Sequence, residues 1–403
     1  MANWYTMKNR NRHSKTIYIL AVLAVLVVIG AGVLIWHSRS RTDGTAAATG
    51  RTGTETVSPL DEQAREKVRS MSPQQRVGQL MMIGIQGTTV DQDAAYQIAQ
   101  YHMGNVILFD RNMQSTQQVK DLNAALARQI RRQSQDIPPF IAVDQEGGFV
   151  LRMRDAFPRV PSEQQLGENG DPAAARTWAV TTGKKLKELG FNLNFAPVVD
   201  LGSASERSYS RDPAVVTSFA QQAVEGYEEA KIWCALKHFP GIGKVRTDPH
   251  LDGDQVAASR DELLAADMKP FADLIGQVPH DKMFIMVSNV TFPALDPKLP
   301  ACVSQPIMTG ILRQQFGYGG LILSDDMEMG AMAKHYAFSD MGVMAIRAGA
   351  DIVLVCHDYG HEQETYAGLL KAYENDESFR KLVDEKVTRI VRTKLAGGEA
   401  GYM

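Results

Sequence analysis

The chain has 403 residues, 44% of them hydrophobic and 22% charged, ample for a sizeable buried core. Its formal net charge of -3 supplies no basic field, which excludes nucleic acid as a partner on charge. The cysteines, Cys234, Cys302 and Cys356, show neither a CxxC pair nor finger spacing, which argues against a disulfide framework; two of them sit in apolar, strand-like runs and read as buried, inert thiols.

The first element in chain order is Ile17 to Trp36, an unbroken run of apolar residues and glycine without a charge. It is long enough to cross a bilayer as a helix. Lys8, Arg10, Arg12 and Lys15 precede it, and Arg39 and Arg41 come after it. The heavier positive flank predicts a cytoplasmic segment 1–16, a single transmembrane signal anchor over 17–36, and the bulk of the chain outside the cytoplasm. A cleaved signal peptide fits less well, because the run is long and ends in Trp36-His37-Ser38-Arg39, a poor cleavage site. Residues 37–60 are dominated by Ser, Thr, Gly, Ala and Arg, the composition of a flexible linker. Folded sequence is expected over 61–403.

From residue 77 on, short apolar runs alternate with longer amphipathic stretches. The runs are Val77–Ile85, Asn105–Phe109, Phe140–Val143, Phe191–Val199, Ile232–Leu236, Phe284–Val290, Leu321–Leu323 and Ile352–Val355. Helical patterns lie between them, over Ser115–Gln133, Ala173–Leu189, Pro213–Ala230, Arg260–Leu274, Gln305–Phe316 and Asp340–Ala348, with a C-terminal one over Glu362–Leu395. Eight β/α alternations predict an α/β fold, a (β/α)8 TIM barrel in one catalytic domain. An open doubly wound sheet would carry a glycine-rich dinucleotide turn after its first strand, and none is present. Gly241-Ile-Gly-Lys244 is no phosphate loop either: the first glycine is missing and Val245 stands where Ser or Thr is required.

In such a barrel, function collects just after each strand. The third strand leads into Asp144-Gln-Glu-Gly-Gly148, then Arg152. The fourth reaches Asp200, with Glu206-Arg207-Ser208 in its loop. The fifth gives Lys237 and His238, then Asp248 and His250; the sixth Ser288-Asn289; the seventh Ser324-Asp325-Asp326; the eighth His357-Asp358. Asp, Arg, Lys and His at one rim are residues that bind sugar hydroxyls and stabilise a cationic transition state. Any one of them also reads as a strand or helix cap, and Asp325-Asp326 alone reads equally as a helix N-cap pair. His357, His361 and Glu362 have no HExxH pattern and are read as rim residues rather than metal ligands. Asn289-Val-Thr291 fits a glycosylation acceptor but falls in an expected barrel strand.

The stretch Lys237-His-Phe-Pro-Gly-x-Gly-x4-Asp248-x-His250 resembles the signature of glycoside hydrolase family 3, in its β-N-acetylglucosaminidase branch. Asp144-Gln-Glu-Gly-Gly and Leu323-Ser-Asp325-Asp-Met resemble that family too, each at its expected strand end, and the resemblance covers residues 65 to 396. It implies Asp325 as catalytic nucleophile, His250 as general acid/base and Asp248 as its dyad partner. It implies Asp144, Arg152, Arg207, Lys237 and His238 as binding the N-acetylglucosamine ring. The methionines read mostly as core, with Met327 and Met329 expected to line the sugar pocket. The chain departs from the pattern at Ile242, Pro249 and Phe149, where the family often has His, Ser and Arg.

The chemistry fits these residue types. A retaining glycosidase needs a nucleophile on one face of the sugar and an acid/base on the other. An imidazole titrates near neutrality without help, whereas a carboxyl needs an apolar pocket to do so. Glu146 is the second carboxylate in the usual place for an acid, and its Gly-Gly neighbours read as a tight turn beside the substrate instead. The resemblance implies a retaining exo-β-N-acetylglucosaminidase without metal or organic cofactor, acting as a monomer on GlcNAc-MurNAc fragments of peptidoglycan. A phosphorylase on the same framework and a non-catalytic muropeptide-binding protein are the alternatives.

Overall fold

The computed structural model describes residues 58–155, 157–202, 206–245 and 254–403. The expected segments 1–16 and 17–36, most of 37–60, and both Asp248 and His250 lie outside the described residues. Among the described residues no helix is long and apolar enough to cross a membrane.

Eight parallel strands close into a barrel in sequence order: β1 (Met81–Ile83), β2 (Asn105–Leu108), β3 (Ile141–Val143), β4 (Leu193–Asn194), β5 (Trp233–Phe239), β6 (Met283–Val287), β7 (Ile322–Asp326) and β8 (Ile352–Val355). Closure is made by β1 against β8, with Met81, Met82 and Ile83 opposite Val353, Leu354 and Val355. The strands are buried along β1 to β6 and β8, as parallel strands covered by helices must be.

The runs read from hydropathy are placed correctly but trimmed or extended by local chemistry. Val77–Gln79 belongs to a helix (Pro73–Gln79) rather than to β1, because Ser72 and Gln75 form a capping box and Pro73 opens the first turn. Of Phe191–Val199, only Leu193–Asn194 is strand, and the chain then runs irregularly to Asp200. β5 and β7 are longer than their apolar runs: the polar residues Lys237, His238, Ser324, Asp325 and Asp326 are strand, not loop. The folded region opens with a helix over Pro59–Ser70, whose cap Ser58 accepts a hydrogen bond from Asp61 N at 3.1 Å. Helices over Thr116–Gln133, Pro172–Glu188, Pro213–Ala230 and Phe338–Ala348 match the amphipathic stretches within two residues. The C-terminal pattern is two helices, Tyr359–Asn375 and Glu377–Ala400, because Asp376 leaves helical geometry to cap the second through Ser378 N and Phe379 N. The stretches 260–277 and 306–315 contain wider π-helical turns, over Leu263–Asp267 and Pro306–Gln315.

The floor of the barrel is aromatic. Phe140, Trp233 and Phe284 pack with ring centroids 5.1 to 6.0 Å apart, and Tyr402 lies on Trp233 at 4.8 Å. The three cysteines are free and buried.

Candidate active site

The strand pairing is irregular in two places, and both fall where chemistry was expected. Between β5 and β6 the register shifts between Leu236 and Phe239, the interval holding Lys237 and His238. Between β7 and β8 it shifts between Leu323 and Asp326, the interval holding Ser324 and Asp325. Bulges of this kind re-aim side chains beside active sites. Here they leave Lys237, His238 and Asp325 all lining one pocket of about 460 Å3 at the C-terminal mouth of the barrel.

Seven of the eight strands contribute to that pocket. Asp144, Glu146 and Arg152 come from beyond β3, Arg207 from beyond β4, Ser288 and Asn289 from beyond β6, and His357 from beyond β8. Ile107, Phe195, Met286 and Leu354 supply apolar wall. The described residues expected to attack or bind the sugar are brought to it: Asp144, Arg152, Arg207, Lys237, His238 and Asp325. Met329 lines the pocket; Met327 is fully buried and does not.

At the base is a chain of buried charges. Lys237 Nζ lies 2.8 Å from Asp144 Oδ1 and 2.6 Å from Glu146 Oε1. Arg207 donates to both oxygens of Glu146 at 2.8 Å, the two-pronged fit that guanidinium gives a carboxylate. Arg152 NH2 reaches Asp144 at 4.0 Å, and its NH1 pairs with Asp110 at 3.0 Å. Burial works to raise Glu146, but the Lys237 and Arg207 charges outweigh it and hold its carboxyl down to about 2. Burial likewise works against the Lys237 ammonium, and Asp144 and Glu146 overcome it, leaving that group raised above the usual lysine value. Glu146 is thus a fixed anion that aims two cations, and it cannot hold a proton for a leaving group at neutral pH. The glycine pair after it permits this. Gly147 has φ +118°, and a Cβ there would collide with Pro161 O. The chain folds back so that Glu146 N donates to Val150 O at 3.0 Å.

His238 is oriented by Asp200, a buried carboxylate beyond β4. Nδ1 lies 2.8 Å from Asp200 Oδ2, while Oδ1 accepts the backbone N–H of His238 at 3.2 Å and of Ile242 at 2.8 Å. With Nδ1–H donated to Asp200, Nε2 is the ring atom left for the pocket. The loop carrying Arg207 is pinned from the same place: Ser208 Oγ donates to Asp200 O at 2.6 Å and accepts from Gly202 N at 2.8 Å.

Asp325 is the penultimate residue of β7, and its carboxylate accepts the Asp326 N–H at 2.8 Å. Desolvation pushes its carboxyl above the usual aspartate value, with His238 the main opposing influence. The helix-cap reading of Asp325-Asp326 fails. The strand continues through Asp326, and the next helix, Gly330–Ala333, has Met329 at its N-cap with no side-chain bond.

The third wall joins two residues expected at the rim, Asp326 and His357, to Arg111, which was not read from the sequence. Asp326 Oδ2 lies 2.9 Å from His357 Nε2, and Arg111 NH1 lies 3.0 Å from His357 Nδ1. The Asp326 hydrogen bond raises His357 above its ordinary value. Phe109 packs against the same imidazole with centroids 4.8 Å apart and the rings tilted by 37°, and the Arg111 guanidinium lies 4.7 Å from the Phe109 ring. Glu328 accepts from Cys356 N at 2.6 Å and pairs with His361 Nδ1 at 2.7 Å. His357 and His361 are each committed to a different carboxylate, and the described residues hold no His/Cys/Asp/Glu group able to bind a metal. Asn289 is buried rather than displayed to solvent, and its Nδ2 donates to Asp326 O at 2.7 Å, so it is no glycosylation acceptor.

The family model for the glycosyl hydrolase family 3 N terminal domain matches residues 73–393. The chain belongs to glycosyl hydrolase family 3. Over 335 residues it is 32% identical to β-hexosaminidase A of Pseudoalteromonas piscicida, covering 76% of this chain and 56% of that protein. Over 289 residues it is 36% identical to the β-hexosaminidase of Alkalilimnicola ehrlichii, covering 69% of this chain and 80% of that one. Among solved structures it resembles a family 3 β-N-acetylglucosaminidase from a Paenibacillus species, with TM-score 0.76 and 34% identity over 82% of this chain and 63% of that one. It also resembles the β-N-acetylhexosaminidase of Beutenbergia cavernae, with TM-score 0.75 and 29% identity over 82% of this chain and 99% of that one. The chain thus spans little more than half of the Pseudoalteromonas relative and nearly the whole Beutenbergia one. It is a glycoside hydrolase of the β-hexosaminidase group.

Two residues that orient the pocket's cations and imidazole were within reach of sequence reasoning and were undervalued. Asp200 was visible as the polar end of the fourth run, and Glu146 as the carboxylate inside Asp-Gln-Glu-Gly-Gly. Asp326 and His357 were each visible at a strand end, but their pairing with each other and with Arg111 had no sequence signal, since the three come from segments far apart in the chain.

Proposed function

We propose that this chain is a retaining exo-β-N-acetylglucosaminidase that releases terminal β-linked GlcNAc, with peptidoglycan-derived GlcNAc-MurNAc fragments as its natural substrates. The observation that carries the reading is the placement of Asp325 in a pocket of about 460 Å3 whose other walls are the Lys237, Arg152, Arg207 and His238 donors. A pocket open at one end and of that size admits one pyranose, which favours an exo mode.

In the proposed reaction, the Asp325 carboxylate attacks the anomeric carbon and forms a glycosyl ester while the leaving oxygen takes a proton; water then cleaves the ester. The pocket carboxylates other than Asp325 are committed elsewhere. Glu146 is bound by two cations, Asp144 by Lys237, Asp326 by His357, and Glu328 by backbone amides and His361. The proton donor is therefore assigned to His250, oriented by Asp248, on the strength of the Asp-x-His motif in the loop after β5. Ring binding is assigned to Asp144, Arg152, Arg207, Lys237 and His238. The apolar run 17–36 with its basic flank supports tethering at the cytoplasmic membrane, catalytic domain outward, where wall fragments arise.

The test is hydrolysis of an aryl β-N-acetylglucosaminide by the wild type, Asp325→Ala and His250→Ala. Cleavage by the wild type, lost in Asp325→Ala and recovered as a glycosyl azide on adding azide, is expected. An inactive wild type, or full activity in Asp325→Ala, sinks the mechanism. GlcNAc-1-phosphate as the main product in phosphate buffer would replace hydrolysis with phosphorolysis.

A further inference from the structure

The loop after β5 carries the proton donor assigned above, and both of its feet are fastened. At the far foot, Thr291 N donates to Asp254 O at 3.0 Å and Val256 N donates to Thr291 O at 3.0 Å, in a bridge between Gln255 and Thr291. At the near foot, Ile242 N donates to Asp200 Oδ1 at 2.8 Å and Val245 N donates to Ile242 O at 3.0 Å. Between those two residues stands Lys244, four positions before Asp248 and six before His250. Its ammonium pairs with the Asp267 carboxylate.

We propose that the Lys244–Asp267 ion pair is a positioning brace for proton donation, holding the stem of this loop so that the His250 imidazole meets the leaving oxygen. The proposal rests on the glycosidase reading and on His250 as its acid. Neither Lys244 nor Asp267 lines the sugar pocket, so both act through the loop.

Asp267 reaches the stem because its helix is irregular there. The chain is α-helical over Arg260–Glu262, widens to a π-helical turn over Leu263–Asp267, and returns to α-helix over Lys269–Gln277. Met268 N closes the wide ring on Leu263 O at 2.8 Å. A π turn adds one residue to the helix, so the side chain at its end faces a side it would otherwise miss; such turns recur beside functional sites. Here that side chain is Asp267, 0% exposed, and the stem lies directly on it. A Cβ on Gly241, which has φ +117°, would come within 2.9 Å of Asp267 Cβ.

The pair is a poor device for stability. Burial pushes the Asp267 carboxyl above the usual aspartate value, with Lys244 the main opposing influence. Its ionised form therefore costs stability at neutral pH, and its Oδ1 has no hydrogen-bond partner among the described residues. A costly charge under a loop that carries a reacting group is what a trade of stability for activity looks like.

The readout is kcat/KM for two β-N-acetylglucosaminides that differ only in leaving group. Methoxide needs a proton to depart and 2,4-dinitrophenolate does not, and kcat/KM reports this first cleavage without the later step in which His250 acts as base. Lys244→Met and Asp267→Asn are each expected to lower kcat/KM for the methyl glycoside about 10- to 100-fold and to leave the dinitrophenyl glycoside within about twofold of the wild type. Lys244→Arg, which keeps the charge and the reach, should restore the methyl glycoside, and the double variant Lys244→Met with Asp267→Asn should lose no more than either single one. Lys244 is 46% exposed, so Asp267→Asn leaves no buried cation behind; if it nevertheless fails to fold, Lys244→Met decides. An equal loss on both glycosides in Lys244→Met, or no loss on either, overturns the brace. His250→Ala is measured beside it. A loss confined to the methyl glycoside in His250→Ala but absent from Lys244→Met sinks the brace alone. An equal loss on both glycosides in His250→Ala, or a wild type that cleaves neither, removes the acid and the brace with it.

Discussion

The two ends of the barrel bury charge in opposite ways. At the mouth, Lys237, Arg207, Glu146 and Asp144 pair with one another yet line a cavity, so their remaining donors and acceptors face a ligand. At the other end, just before β8, Asp351 is fully buried and its oxygens are consumed by Arg313 and Arg389, with Lys386 at 3.9 Å and Ile322 N donating at 2.8 Å. Arg313 is satisfied in turn by Tyr318 O at 2.9 Å. Lys394, also fully buried, ends on Gln79 Oε1 at 2.7 Å and Gly104 O at 3.1 Å, so burial pulls it well below the usual lysine value with no carboxylate to restore it. The lower cluster ties helices to strands, with Asp351 and Lys394 spent on their neighbours; the upper one is tied just enough to hold a shape. Buried ion pairs by themselves therefore do not mark a site. Those whose members keep a face on a cavity do.

That contrast can be broken most severely at Asp325. Asp325→Ala is expected to lower kcat on the order of 10^4-fold with the fold intact, read as turnover of an aryl glycoside beside the circular dichroism spectrum. Next come the carboxylates that anchor buried cations. Glu146→Gln leaves Arg207 without its carboxylate and Lys237 with Asp144 alone, and Asp351→Asn takes the carboxylate from Arg313 and Arg389. Each is expected to cost about 3–5 kcal/mol in urea unfolding, but only Glu146→Gln should also destroy the kcat/KM of the molecules that remain folded. A similar loss of activity per folded molecule in Asp351→Asn would erase the distinction between the two ends. Asp200→Asn removes the ionised partner of His238 and is expected to reduce kcat/KM about 10- to 100-fold with little change in stability.

The smallest effects are those of pH, and their signs differ within one pocket. Glu146 is depressed, so its contribution to stability is complete above its unfolded value near 4.5 and is lost as pH falls through about 2. Asp325 is raised, so its ionised form costs stability at neutral pH and protonation relieves it. Asp325→Asn should therefore raise Tm at pH 7 by roughly a few degrees where Glu146→Gln lowers it. The acid limb of kcat/KM should lie above the ordinary aspartate value of 3.8, because the nucleophile must be ionised. A limb at or below 3.8 would remove Asp325 from the role.

Much of this was legible in the chain. The eight apolar runs each contain or abut an observed strand, because a parallel strand covered on both faces must be apolar wherever it pairs. The runs ended too early at Leu236 and Leu323, since the next residues are polar and hydropathy cannot tell a polar strand end from a loop. Directly beyond Leu236 and Leu323 lie the two register shifts that turn Lys237, His238 and Asp325 into one pocket. Conversely, Val77 looked like strand because it is apolar, and the cap at Ser72 with Gln75 made it helix.

Sequence alone determined the strand order and the face on which polar residues gather, because both come from local pattern along the chain, and the family resemblance added the residues Asp144, Arg152, Arg207, Lys237, His238 and Asp325. Tertiary structure decided which carboxylate each cation meets. Lys237 pairs 93 positions back with Asp144, Arg207 pairs 61 back with Glu146, and His238 pairs 38 back with Asp200. Coulomb attraction and desolvation depend on distance in space, which only closure of the barrel sets. The same closure fixed Glu146 as a permanent anion and bound His357 to Asp326.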